Sequence, residues 1–159
     1  MSNTTFIANR KHIASQHTIN SNPKRVFPLL CPVREFDWIE KWDCEMIFSK
    51  SGVAELGCIF STYNEEDGGN DIWVISRYEL NQNIQFIRVN SIRSIRYDLT
   101  LTEKNGETDI LWQQEITALN QQGNEFIETV KQSDFDKQIK MLEGLLNHYI
   151  KTGEAKPID

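Results

Sequence analysis

The chain predicts an α+β domain: a seven-stranded antiparallel sheet, two short helices near the N-terminus and one long helix at the C-terminus. Three observations predict it. From Asn124 to Ile150 the residues Phe135, Ile139, Leu142, Leu146 and Tyr149 recur at steps of four and three, the spacing of one buried helix face. Between Cys44 and Gly123 the period is two, and turn sequences such as Lys104-Asn105-Gly106 divide it into strands. Hairpin-length links between those strands leave no room for βαβ crossovers, so the sheet must be antiparallel.

Taken in order, Lys11 to Asn20 alternates, with Ile13, Ser15, His17 and Ile19 on one side, and forms the first strand. Asn20-Ser21-Asn22-Pro23 starts a helix, with a capping side chain and a first-turn proline ahead of Val26, Phe27, Leu29 and Leu30. Pro28 and Pro32 keep it short. A second short helix, Val33 to Lys41, carries Phe36, Trp38 and Ile39, with Trp42 just beyond. Cys44 to Phe48 is the second strand, Lys50-Ser51-Gly52 turns the chain, and Cys58 to Asn64 is the third. Glu65 to Asn70 reads as an acidic hairpin loop. Asp71 to Leu80 is a strand apolar on both sides, so its inward face is open, and Ile84 to Val89 follows. Ile92 to Glu103 sets Ile95, Tyr97, Leu99 and Leu101 against Arg96, Asp98, Thr100 and Thr102. Thr108 to Leu119 keeps Ile110, Trp112, Gln114 and Ile116 in phase. The last helix opens at Gly123 or Asn124 and ends at Gly153, with Lys151 complementing the helix dipole. A twisted sheet with a helix along one face leaves space between them, a candidate pocket.

With 159 residues, 39% of them hydrophobic, the chain suffices for one core and is short for two. Residues 11–153 are expected to form the domain, between a flexible N-terminus (1–10) and a tail (154–159). The net charge of −6 argues against nucleic acid, which needs a clustered positive surface. Lys24 with Arg25, and the trio Arg88, Arg93 and Arg96, read as solvated strand and turn positions. Cys31, Cys44 and Cys58 lack the close pairs of a zinc site and suit a reducing compartment. No stretch approaches the length of a membrane span. A soluble cytoplasmic protein without metal or cofactor is expected.

Four tryptophans, Trp38, Trp42, Trp73 and Trp112, and four tyrosines, Tyr63, Tyr78, Tyr97 and Tyr149, sit in or beside elements, where they suit a core or a pocket for a ring system or lipid tail. All of them but Tyr78 form the expected ligand-binding set with Leu142 and with Gln114, a polar residue in phase with Trp112 and Ile116. For acid–base chemistry the candidates are His17, in phase with Ile13 and Ile19; Glu35, beside the aromatic second helix; and Tyr97. No Ser-His-Asp spacing or phosphate-cradling glycine loop stands out.

Several motifs, in order, resemble the START-like or helix-grip superfamily (SRPBCC, polyketide cyclase/dehydrase-like). They are Asn22-Pro23 followed by Val26-Phe27, Glu35 and Trp38 with Trp42, Gly57 before Phe60, the Trp73-Val74 strand, and Leu146-Asn147-His148-Tyr149 near the end of the last helix. The resemblance spans Lys11 to Gly153. It implies a helix-grip fold, a curved sheet that with the long helix grips a small hydrophobic or amphipathic ligand, a lipid or an aromatic compound. It carries no common catalytic set. Binding or transport of such a ligand is the leading expectation. The alternatives are a cyclase- or dehydrase-like enzyme using His17, Glu35 or Tyr97, and a co-chaperone-like interaction module.

Overall fold

The computed structural model describes residues 5–65 and 69–158. Met1–Thr4 of the expected flexible N-terminus, Glu66, Asp67 and Gly68 of the acidic loop, and Asp159 of the tail lie outside the described residues. The described residues form seven strands: β1 (Arg10–Ile19), β2 (Glu45–Phe48), β3 (Ile59–Asn64), β4 (Gly69–Glu79), β5 (Asn83–Val89), β6 (Arg93–Lys104) and β7 (Glu107–Ala118). They make one antiparallel sheet in the order β1-β7-β6-β5-β4-β3-β2, so only β1 leaves sequence order. The hairpins β2 to β7 follow from turn chemistry, and Asn105-Gly106, both at positive φ, closes the tightest of them.

On the N-terminal side, α1 (Pro23–Val26) is a single turn capped by Asn22, whose side chain accepts from the Arg25 backbone N–H at 3.0 Å. A 3-10 turn (Phe27–Leu30) and α2 (Pro32–Glu35) follow. The second short helix was expected to run to Lys41, but it stops at Glu35. Asp37 bonds to Arg34 and Trp42 to Ile39 through tight i to i+3 turns, and the indoles are drawn elsewhere. Trp38 Nε1 donates to the Leu29 carbonyl at 2.7 Å and Trp42 Nε1 to that of Pro32 at 2.8 Å.

The C-terminal helix also departs from expectation. Instead of one run it forms α3 (Gln121–Thr129) and α4 (Gln132–Thr152), separated by extended Val130 and Lys131. Asn120 caps α3, accepting from Gly123 N–H at 2.9 Å, and Thr129 Oγ1 bonds back to the Phe126 carbonyl at its end. Lys11 Nζ donates to the Val130 carbonyl, tying the break to β1. Gly123 lets α3 lie against the sheet: a Cβ there would stand 2.0 Å from the Ile92 carbonyl oxygen. Gly153, at φ 76°, ends α4 and donates to the Tyr149 carbonyl at 2.7 Å.

α4 packs along β1 and closes its free edge. Gln132 Nε2 donates to the Ala14 carbonyl at 2.6 Å, Thr18 N–H donates to Glu143 at 2.9 Å, and Asn20 N–H donates to Asn147 at 2.8 Å. Side chains of the helix thereby satisfy backbone groups that an edge strand otherwise exposes. The core lies between helix and sheet, with Ile19, Ile75, Ile84, Ile110, Ile139 and Leu146 almost wholly buried.

The arginine trio needs correction. Arg96 is exposed, but Arg93 is fully buried and Arg88 nearly so. Both point inward because they share the phase of buried neighbours, Arg88 with Ile84 and Phe86, Arg93 with Ile95 and Tyr97. Their partner is Asp71, in phase with Trp73 and Ile75 on β4. A bulge between Ile75 and Arg77 then resets the strand, so that Tyr78 faces inward as well. Asp71 to Leu80 reads as apolar on both sides because Ile72 and Val74 occupy the outer face opposite Trp73 and Ile75, with Tyr78 brought inward past the bulge.

Candidate functional site

Two cross-strand rows build the sheet wall of the site. The first runs Phe60, Trp73, Arg88, Ile95, Ile116 across β3 to β7, and the second Ile75, Phe86, Tyr97, Gln114, Ile13 from β4 to β1. Each apolar row therefore carries one polar residue. Phe60 and Trp73 stack at 5.3 Å, Phe86 meets Trp73 edge-on at 5.6 Å, and Tyr97 meets Trp112 edge-on at 6.0 Å.

Opposite these rows stand α4 and the segment after α2, and between them lies a cavity of about 330 Å³. Its walls include Phe60, Trp73, Phe86, Tyr97 and Trp112 from the sheet, Glu35, Trp38 and Trp42 from the N-terminal segment, and Gln138 and Leu142 from α4. Lys41, Asp43 and Tyr63, all exposed, stand at its rim. A second hollow of about 480 Å³ adjoins it, sharing Asn64, Arg88, Tyr97 and Gln138 and extending past Gln114 to the α3–α4 break at Thr129–Lys131.

The electrostatics are set by two carboxyl groups in opposite situations. Burial opposes ionisation of Asp71, but hydrogen bonds from Arg93 and the charge of Arg88 overcome it and hold the carboxyl below its ordinary value. Arg93 Nη1 lies 2.6 Å from Oδ1 and Arg88 Nε 3.0 Å from Oδ2. The Arg88 guanidinium also lies 4.3 Å from the Trp73 ring centroid, over its face. Glu35 has no such company. Its carboxyl makes no hydrogen bond or ion pair with any described residue, and burial pushes it well above the usual carboxylate range. Cys44, beside Glu35, is likewise pushed up by burial to about 11, which leaves it a thiol rather than a nucleophilic thiolate at neutral pH.

Of the residues singled out in the sequence, Glu35, Trp38, Trp42, Tyr63, Trp73, Tyr97, Trp112 and Leu142 all line the main cavity. Gln114 lines the adjoining hollow. Tyr149 lines neither and packs on the core beside Arg34. His17 also lines neither: it faces α4 from β1, opposite Ile110, and its Nδ1 is buried with no hydrogen-bond partner among the described residues. The sequence reading missed Arg88 and Gln138 as lining residues. The phase of Arg88 with Ile84 and Phe86 was the available signal for one of them. Among the described residues no group of three His, Cys, Asp or Glu side chains could hold a metal ion, and no helix is long and apolar enough to cross a membrane.

No family model and no curated protein matches the sequence. Solved structures match its architecture. The Zhui aromatase/cyclase from Streptomyces sp. R1128 superposes with a TM-score of 0.67 at 8% identity, covering 93% of this chain and 100% of that one. The Aha1 dimer from Colwellia psychrerythraea gives 0.61 at 13% identity, over 90% and 98% of the two chains. Ara h 8.0201 gives 0.59 at 12% identity, over 91% and 99%. At such identities the likeness is one of fold. In its sheet order, its short N-terminal helices and its long covering helix, this chain has the helix-grip fold.

Proposed function

We propose that this protein binds a small hydrophobic or amphipathic ligand in the cavity between the sheet and α4. The observation that carries the reading is the cavity itself, about 330 Å³ walled by Trp, Tyr and Phe side chains from five strands and the N-terminal segment. Aromatic walls offer large apolar contact area with little side-chain entropy to lose. An aromatase/cyclase shares the architecture, which agrees with an interior used for ring compounds. The three free cysteines suit a reducing compartment such as the cytoplasm.

A second reading, an acid–base enzyme on the same ligand, is favoured by one observation: Glu35 and Tyr97 stand on the same cavity wall set, and burial raises the Glu35 carboxyl well above its ordinary range. His17 lies outside that cavity and has no part in this reading.

Native mass spectrometry of freshly purified protein, followed by organic extraction, tests binding. Expected is a co-purifying lipid or aromatic compound, or tryptophan fluorescence changes that saturate with members of an aromatic panel. A protein that stays empty and leaves its tryptophan emission unchanged throughout such a panel is not a carrier of this kind. Chemical conversion of a bound compound that stops in Glu35→Gln would establish the enzyme reading.

A further inference from the structure

Resting on that binding reading, we infer that the ligand is a flat, oxygenated ring compound laid along β7 across both spaces. One of its oxygens accepts a hydrogen bond from the Trp112 indole N–H, and another meets the Gln114 carboxamide.

The inference starts from which polar groups on the walls are already committed. The indole N–H groups of Trp38, Trp42 and Trp73 are spent on the protein, at 2.7 Å to the Leu29 carbonyl, 2.8 Å to the Pro32 carbonyl and 2.8 Å to Thr62 Oγ1. Arg88 is held by Asp71, and Asn64 and Tyr97 have protein contacts of their own. Lys41, Asp43, Lys131, Asp134 and Gln138 are exposed and stay hydrated, and Glu35 is only partly buried. Trp112 and Gln114 differ from all of these. They are only 8% and 9% exposed, and neither the indole N–H nor the carboxamide has a partner among the described residues. Nor are these polar atoms sealed behind protein. Trp112 opens on the main cavity and Gln114 on the adjoining hollow.

Their placement points both at one occupant. The two residues alternate on β7, so their side chains leave the same face of the sheet with Cα atoms about 7 Å apart. Tyr97 pairs with Gln114 across the strands, meets Trp112 edge-on and lines both spaces. The two groups therefore flank the junction, and a molecule passing through it lies against both.

An occupant that excludes water must replace the hydrogen bonds water would make, and each buried group left dry is costly. The Trp112 N–H only donates, so its partner is an acceptor oxygen; the carboxamide donates and accepts, and suits a hydroxyl or a carbonyl. A plain hydrocarbon serves neither. An acyl chain carries oxygen only at its head, so it serves one of them at most, and it loses torsional freedom that fused rings do not have.

The test measures binding of 2,6-dihydroxynaphthalene, 2,6-dimethylnaphthalene and dodecanoic acid to the whole protein by equilibrium dialysis at pH 7. The diol is expected to bind about tenfold more tightly than the dimethyl compound, the scale of one to two neutral hydrogen bonds. Gln114→Leu, which removes the amide and keeps the bulk, lowers that preference to about threefold and leaves the dimethyl compound's affinity unchanged. In the wild-type protein the Trp112 indole N–H resonance moves downfield with the diol relative to the dimethyl compound, a readout that stands even if the variant does not fold. Equal or tighter binding of the dimethyl compound overturns the inference and leaves the carrier reading intact. Binding of dodecanoic acid with neither naphthalene bound does the same. A preference undiminished in Gln114→Leu, or a Trp112 resonance that does not distinguish the two naphthalenes, overturns it as well. Failure of all three probes to bind counts against the carrier reading itself and takes the inference with it.

Discussion

Arg93 and Asp71 face each other in two parallel hydrogen bonds, Nη1 to Oδ1 at 2.6 Å and Nη2 to Oδ2 at 3.0 Å, where neither side chain meets solvent. Arg88 reaches the same carboxylate from β5, so one aspartate on β4 holds the next strand and the start of the one after it. Removing one partner of a buried pair strands the others in a dry site. Asp71→Ala should cost about 3–5 kcal/mol in urea unfolding. A cost below about 1 kcal/mol would mean that the arginines find water or other partners.

Acid should expose the same group. Asp71 has a folded-state pKa below its unfolded value, so the stability it contributes is present above about pH 4 and is lost as pH falls through the depressed value. Unfolding free energies measured from pH 5 down to pH 2 should therefore fall more steeply for wild type than for Asp71→Asn. Parallel curves would refute the coupling.

Glu35 carries the opposite sign. Its folded-state pKa is raised, so its contribution is fully present below the unfolded value of about 4.3 and is lost as pH rises through the folded one. Glu35→Gln removes that penalty. The variant should gain on wild type in thermal melts as pH rises above about 4, until pH passes the raised folded-state value, and a constant difference throughout would show a solvated carboxyl.

Gly123→Ala drives a methyl group to 2.0 Å from the Ile92 carbonyl oxygen and 3.1 Å from Ala118. Both are neighbours that cannot rotate away. The substitution should cost about 3 kcal/mol by overpacking, measured by urea unfolding, with α3 displaced from β7. Neutral behaviour would mean that α3 sits further from the sheet.

Asn147→Ala and Gln132→Ala uncover the free edge of β1. Each should cost about 1 kcal/mol and speed hydrogen exchange, at the Asn20 amide in the first and at Ala14 in the second. Unchanged exchange at those amides would show that water serves the edge equally well.

These features differ in how far the sequence announces them. The strands from β2 to β7 are legible because turn residues such as Asn105-Gly106 punctuate an alternating pattern, and the site aromatics follow from that alternation. The split between α3 and α4 is not, since Thr129, Val130 and Lys131 include neither glycine nor proline; tertiary contacts, among them Lys11 on the Val130 carbonyl, end α3 there. Arg88 and Arg93 were misread for a different reason. Their charge suggested water while their phase with Phe86 and Ile95 pointed inward, and phase decides the face when a buried partner of opposite charge, here Asp71, is available. Glu35 was legible only as a candidate, because its isolation depends on where the indoles of Trp38 and Trp42 find their acceptors.

The pairing of β1 with β7 sets Arg10 beside Thr117, 107 residues away along the chain. A ribosome adding about 5–20 residues per second leaves an interval on the order of ten seconds between making one and making the other. Throughout that interval β1 has emerged without the strand that pairs with it, and the helix that seals its outer edge is later still. The hairpins β2 to β7 have their partners within reach as they are made. The first strand synthesised is accordingly the last to be housed, and the step that admits it also closes the wall of the cavity.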